Sequence, residues 1–255
     1  MNKALSGMRK AQKREMLPAI DLFPQVEYSR RKIDAAVFGP RAYSTNMAAM
    51  QKIYFHSSDL PGVTFKPLTT AQSLAVAGYN FGNLAKPQIF NSSRLQAGLV
   101  LRVAEGVWIN PLTDVNGNVV RDEKELEQRL SKTNRVNGIY LLEGDTSFVP
   151  SASFEKGVQE HEKFLEGGLA RGLVHTADKK ATTLSLIANK DEYPNGVDVW
   201  GFDSVESPIL KVVRLGSYWS LGGDRLVVGG DDWLDDVSGY AFGGLVSGEA
   251  SAPKN

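Results

Sequence analysis

After Asn195-Gly196 the chain changes character. Strand-length apolar runs at residues 197–202, 209–215, 225–228 and 240–246 alternate with glycine turns. Runs this short bury a face by pairing side by side, so this part of the chain must enter a sheet.

Upstream, the patterns are mixed. Thr69-Thr70-Ala71-Gln72 has the form of a capping box, in which the Thr69 hydroxyl bonds the backbone three residues on and Gln72 reaches back; a helix through residue 78 is predicted. Residues 98–110 alternate apolar and polar side chains at Leu99, Leu101, Val103, Val107 and Ile109, which predicts two strand halves around a bulge at Glu105-Gly106. Residues 114–117, DVNG, are turn chemistry. Residues 122–132 predict a surface helix with Leu126 and Leu130 on one narrow edge and Glu125 and Arg129 as an i,i+4 pair. Residues 136–142 read as a strand, 153–165 as a helix with Phe154, Val158, His161 and Leu165 near one face, and 182–188 as a shorter helix.

The N-terminal part is less regular. Residues 3–17 predict a short basic helix ending before Pro18, and the proline-punctuated stretch 18–67 predicts an extended, strand-poor region. The chain thus divides into an N-terminal extension over 1–66, whose start reads either as a solvated, frayed segment or as an assembly helix, a ligand-binding domain over 67–248, and a disordered tail over 249–255. Helices in the middle and strands at the end make the fold class α+β, with a small, loop-rich antiparallel sheet.

Composition excludes several function classes. The 29 basic residues balance the 29 acidic ones, so nothing draws the 255-residue chain to nucleic acid or an anionic membrane. Cysteine is absent, which removes disulfides, thiolate metal sites and cysteine nucleophiles together. No apolar run approaches the roughly 20 residues of a membrane span, and no apolar segment follows the basic N-terminus as in a secretory signal. A virion or cytoplasmic location is expected.

Candidate chemistry is sparse. His56, His161 and His175 lack the spacing that places two metal ligands on one helix face and read as satisfied or exposed histidines. The GGLARG run at residues 167–172 has neither the preceding strand nor the Lys-Ser/Thr ending of a phosphate loop, and reads as a helix cap followed by close packing. No G-x-S-x-G elbow presents a serine. Asp231, Asp232, Asp235 and Asp236 could supply oxygen ligands to calcium, but the EF-hand order is missing and a solvated acidic loop is the simpler reading. No catalytic residue, metal or cofactor is assigned.

One segment stands apart. Residues 215–244, LGSYWSLGGDRLVVGGDDWLDDVSGYAFGG, contain no Lys, Glu, Gln or Met. If these four types make up roughly a fifth of ordinary usage, such a window arises by chance on the order of once in a thousand. Together with Val199-Trp200-Gly201-Phe202, Leu210-Lys211-Val212-Val213-Arg214 and the closing Gly239-Tyr240-Ala241-Phe242-Gly243, it resembles the end of a C-type-lectin-fold variable protein of a diversity-generating retroelement. The resemblance covers roughly the last 60 residues and nothing specific before Gly98.

In that family a reverse transcriptase rewrites the C-terminal segment by mutating template adenines. Changes at the two adenines of AAY codons reach Asp, Ser, Gly, Tyr, Leu, Val and Arg but never Lys, Glu, Gln, Met or Trp. The resemblance therefore implies a C-type lectin fold with a variable region over 215–237, and a ligand-binding protein rather than an enzyme. Gly216, Tyr218, Ser220, Asp224, Val227, Asp231, Asp232, Leu234, Asp235 and Asp236 are the expected exposed, exchangeable contacts. Trp219, Trp233, Arg214, Arg225, Tyr240 and Phe242 are the expected scaffold, with the pairs Gly222-Gly223 and Gly229-Gly230 setting turns.

Few-rotamer side chains on a rigid frame lose little entropy on binding. The expected partner is a protein or cell-surface ligand, of basic character for this set of aspartates, and self-assembly stays open. The related formylglycine-generating enzymes work through a cysteine-dependent copper reaction, which this cysteine-free chain cannot perform. Two alternatives remain: a calcium-dependent lectin, although the Glu-Pro-Asn type sugar loop is missing, and an undiversified structural virion protein.

Overall fold

The computed structural model describes residues 20–28, 31–38, 64–83, 94–115, 117–217, 224–232 and 239–246. The fold is mixed α+β, mostly sheet. Its strands are β1 (Ile20–Tyr28), β2 (Arg31–Phe38), β3 (Thr64–Pro67), β4 (Arg94–Arg102), β5 (Gly106–Ile109), β6 (Arg135–Val136) and β7 (Ile139–Leu141), then β8 (Ser147–Pro150), β9 (Gly157–Gln159), β10 (Val197–Trp200), β11 (Ile209–Ser217), β12 (Leu226–Asp232) and β13 (Gly239–Val246). Helices are α1 (Thr70–Asn83), α2 (Glu123–Ser131), α3 (His161–Glu166), α4 (Gly168–Leu173) and α5 (Thr182–Ser185).

One sheet joins the strands, in the order β6-β7-β8-β5-β4-β11-β12-β10-β9. β4 and β11 form its centre, antiparallel from Leu95↔Leu215 to Arg102↔Ile209. The other edge of β4 is divided. β5 takes its C-terminal end, while β13 runs parallel to its N-terminal end and carries β2 and β3 in turn. β10 also lies parallel to its neighbour β12.

Period-two alternation sorts side chains to the two faces. In the β5–β8 pair, Val107, Ile109 and Val149 enter the main core with Leu74 of α1, Phe164 of α3, Leu173 of α4 and Leu184 of α5. Trp108 and Phe148, directly paired, turn the other way and stack at 5.0 Å in a second cluster with Leu126 of α2. Helices thus cover both faces.

Local chemistry sets the ends of these elements. The capping box forms: the Gln72 amide donates to Thr69 Oγ1 at 3.2 Å, and the Thr69 amide donates to the Gln72 side chain at 3.1 Å. α1 then outruns its expected end at residue 78 and continues to Asn83. Asp122 caps α2 by accepting from the Glu125 amide at 2.8 Å, and Arg129 meets Glu125 at 3.3 Å. The 114–117 turn closes with the Gly117 amide on the Asp114 carbonyl.

Several expectations are corrected. Residues 18–67 are not strand-poor, because they contribute β1, β2 and β3, and β2 and β3 join β13 across the expected boundary at residue 66. The sheet is neither small nor wholly antiparallel. Glu105-Gly106 is no bulge: the chain reverses there into the β4–β5 hairpin, where the Val103 amide donates to the Gly106 carbonyl.

The strand expected at 136–142 is itself a hairpin, β6–β7, because Asn137 (φ 49°) and Gly138 (φ 90°) supply the two left-handed residues of a tight turn. Likewise the helix expected at 153–165 begins only at His161. Gly157, at φ 84°, opens β9, which pairs with β10 instead. The expected helix at 182–188 shortens to α5. The expected N-terminal helix and C-terminal tail lie outside the described residues.

Gly98 fixes how closely α1 crosses the sheet. A Cβ there would stand 2.1 Å from Thr70 Oγ1 and 3.0 Å from Thr70 Cα. Gly98→Ala should lower stability by about 1–3 kcal/mol through overpacking, read as a reduced urea midpoint with unchanged m-value.

Candidate functional site

Within the described part of the segment with the restricted alphabet, β12 packs against a buried cation, Arg214. Arg214 lies on central strand β11, directly opposite Gly229 of β12, and Gly229 in turn lies beside Trp200 of β10. Registry puts the three on one face in one row. Gly229 is what lets the row form: a Cβ there would stand 2.7 Å from Arg214 Nε, so its absence gives the side chain a channel. The Arg214 guanidinium reaches across to lie 4.0 Å from the centroid of Trp200, a cation–π contact.

Two bulges flank this residue. The register slips between Val213 and Arg214 against β4, and between Val212 and Arg214 against β12. Such slips re-aim side chains. Here they bring Asp232 Oδ1 to 2.7 Å from Arg214 Nη1 and Asp231 Oδ1 to 3.9 Å from Nη2. Asp232 is 6% exposed, and the Arg214 side chain 9%. The pair is therefore largely out of water, where each charge depends on the other.

On the opposite face Gly230 plays the same part for an aromatic ring, since its Cβ would stand 2.5 Å from Phe202. Gly201, at φ 73°, holds the bend between Trp200 and Phe202, and a Cβ there would meet the Asp231 side chain at 2.8 Å. The Arg214 guanidinium, the Asp232 carboxylate and the Trp200 indole form a clamp between three strands, with the partly exposed Asp231 at its edge.

The residues expected from the sequence divide around this clamp. Asp224 is exposed, and Asp231 is partly exposed. Gly216, Val227 and Asp232 are buried, which corrects their reading as exposed contacts: Gly216 lies within β11, Val227 is 6% exposed in β12, and Asp232 is the Arg214 partner. Gly229-Gly230 is strand rather than turn, and Asp231 and Asp232 belong to β12 rather than to an acidic loop. Arg225 donates to the Asn195 carbonyl at 3.2 Å, tying the start of β12 to the Asn195-Gly196 turn. Tyr218, Trp219, Ser220, Trp233, Leu234, Asp235 and Asp236, with Gly222-Gly223, lie outside the described residues. Tyr240 and Phe242 fall on β13.

For the calcium reading, Asp232 already holds a cation, the Arg214 guanidinium. No group of three metal-ligating side chains occurs among the described residues. The GGLARG run forms the α3–α4 junction. Arg171 Nε donates to the Glu166 and Gly167 carbonyls at the end of α3, and Cβ atoms at Gly168 and Gly172 would meet Ser153 O at 2.6 Å and Val149 Cγ2 at 2.4 Å. His161 is neither exposed nor satisfied. It is 4% exposed, and both its ring nitrogens lack a partner among the described residues.

A second polar cluster escaped the sequence reading. Asn110 (φ 50°), Asp145 (φ 61°) and His175 (φ 49°) all adopt left-handed backbone, an arrangement that gathers where surroundings enforce it. Asn110 Nδ2 donates to Gly144 O at 2.7 Å, Thr69 Oγ1 donates to Asp145 at 2.8 Å, and His175 Nδ1 lies 3.0 Å from Ser147 Oγ. Ser147 is wholly buried, so its hydroxyl orients the imidazole rather than meeting a substrate. Burial holds the His175 pKa below its ordinary value, and the Asp145 charge opposes that shift. Only the G-D pair at 144–145 hinted at this turn, because these contacts join residues far apart in sequence.

Arg214→Ala should cost about 3–5 kcal/mol by removing the guanidinium paired with buried Asp232, whereas Arg214→Met with Asp232→Leu should recover most of that loss in denaturant titration. For His175 the folded pKa lies below the unfolded one, so the unfolded state binds more protons and stability drops as pH falls below about 6.5. His175→Asn, which tolerates the left-handed backbone, should flatten the melting temperature against pH between about 7.5 and 5.5. The chain matches no protein-family model, no curated protein and no solved structure.

Proposed function

We propose that the chain is a non-enzymatic ligand-binding protein with a C-type lectin fold, whose C-terminal contact positions are exchanged by retroelement-directed adenine mutagenesis. The restricted alphabet of residues 215–244 carries this reading. The geometry refines it. Exchange without loss of folding requires a frame anchored apart from the exchanged residues, and the Arg214–Asp232 pair with the buried Leu215, Leu226 and Val228 supports that reading. The exchangeable set then contracts to Tyr218, Ser220, Asp224, Asp231, Leu234, Asp235 and Asp236. Gly216, Val227 and Asp232 leave it, because a buried position cannot vary freely. The partner is a protein or cell-surface ligand.

Burial of those three positions also favours a second reading, an undiversified structural virion protein with a fixed sequence. The gene separates the two. A near-copy of the segment coding for residues 215–237 should lie close by, beside a reverse transcriptase, and differ from it only at adenines. Sibling sequences should vary at the seven retained positions and stay constant at Gly216, Val227 and Asp232. Absence of a template, or variation concentrated at those three, would sink the diversification reading. At the protein level, Tyr218→Ser and Asp235→Ser should each change unfolding free energy by no more than about 0.5 kcal/mol.

A further inference from the structure

Asn-Gly occurs three times in the chain, at residues 116–117, 137–138 and 195–196. The pair is chemically labile because the glycine nitrogen can close a five-membered ring onto the Asn side-chain carbon, and glycine has no Cβ to hinder the approach. That nitrogen must first leave its hydrogen bond and lose its proton. The folded structure therefore decides which pair reacts.

At 195–196 the peptide is held throughout. Gly196 is buried; its amide donates to the Tyr193 carbonyl at 3.0 Å, the Leu226 amide donates to the Gly196 carbonyl at 3.2 Å, and Arg225 Nε donates to the Asn195 carbonyl at 3.2 Å. At 116–117 the Gly117 amide donates to the Asp114 carbonyl at 3.0 Å. The Asp114 carboxylate, which accepts from the Asn118 amide at 2.9 Å, adds a negative charge nearby that opposes loss of the amide proton.

The pair at 137–138 differs on both counts. Asn137 is exposed, and the Gly138 amide makes no hydrogen bond among the described residues. Its neighbouring charge is positive: Arg135 Nη2 lies 3.9 Å from the position a Gly138 Cβ would occupy, where a permanent cation favours an anionic nitrogen. One contact resists. Asn137 Nδ2 donates to the Ala177 carbonyl at 2.8 Å, an exposed bond that slows ring closure by no more than about tenfold.

We infer that Asn137 is a self-modification site, converted without an enzyme to aspartate and isoaspartate with water as the co-reactant. The deprotonated Gly138 nitrogen bonds to Asn137 Cγ, the Cγ–Nδ2 bond breaks, and ammonia leaves carrying the proton. Water then opens the cyclic imide. Cleavage of its N–Cγ bond gives aspartate; cleavage of the bond from nitrogen to the main-chain carbonyl carbon gives isoaspartate, whose backbone runs through Cγ. One water is consumed and one ammonia released, with no change of oxidation state. Either product lacks the Nδ2 donor, so the tie to Ala177 is lost. Isoaspartate also lengthens a two-residue turn, which displaces Val136 from Ile139 in the hairpin that ends the strand order. This chemistry is independent of whether the C-terminal segment is diversified.

The test holds the folded full chain in mildly alkaline buffer made with heavy-oxygen water and maps its peptides by mass spectrometry over time. The peptide spanning 137–138 should take up heavy oxygen several-fold faster than those spanning 116–117 and 195–196, and should split into aspartate and isoaspartate forms. Acidic forms of the intact chain should accumulate in step, since its 29 basic and 29 acidic residues otherwise balance. In concentrated urea the three rates should converge, because unfolding frees every amide. Arg135→Gln should slow the reaction at 137–138 alone, while Arg135→Lys preserves it. Equal rates in the folded chain, a faster reaction at either other pair, no uptake at 137–138 by the time the unfolded chain has reacted, or an undiminished rate in Arg135→Gln would each overturn the inference.

Discussion

A charged side chain on a central strand constrains everything around it. Arg214 occupies β11, which is paired on both edges, so its guanidinium cannot escape sideways to water. An uncompensated charge in that position would cost about 3–5 kcal/mol, a large share of a domain's net stability. The neighbouring features answer this demand. Gly229 clears the channel, the bulges turn Asp232 inward, and Trp200 covers the cation with its ring. Remove any of these and the others lose their reason.

Contacts that fix β10, β11 and β12 lie between strands and reach residues distant in sequence, such as Trp200 and Arg214. Asp231 and Asp232 are adjacent in sequence, yet one is partly exposed and the other is committed to the clamp.

Where the sequence was readable, the interactions were short-range. The Thr69–Gln72 box, the Asp122–Glu125 cap, the Glu125–Arg129 pair and the turn at Asp114 each form as the spacing predicts, because donor and acceptor lie within four residues. The runs at 197–202, 209–215, 225–228 and 240–246 each yielded a strand. Misreadings occurred where period and turn chemistry disagreed. Residues 153–165 carry apolar side chains at helical spacing, yet Gly157 in left-handed backbone and pairing with β10 give a strand there. At 136–142, the Asn137-Gly138 turn was the stronger signal than the apolar run around it.

By itself the sequence determined the class, the terminal strands, the helix caps, the exclusion of thiol chemistry and the restricted alphabet of residues 215–244. All follow from composition or from neighbours along the chain. Only the tertiary structure decided that Gly229 and Gly230 serve Arg214 and Phe202 on opposite faces, that β10 runs parallel to β12 and β13 to β4, and that Asn110 reaches Gly144 and His175 reaches Ser147. Face and register depend on which strand lies alongside, and a slip of one residue exchanges the two faces. That choice is made by the whole sheet, so no local window of sequence contains it.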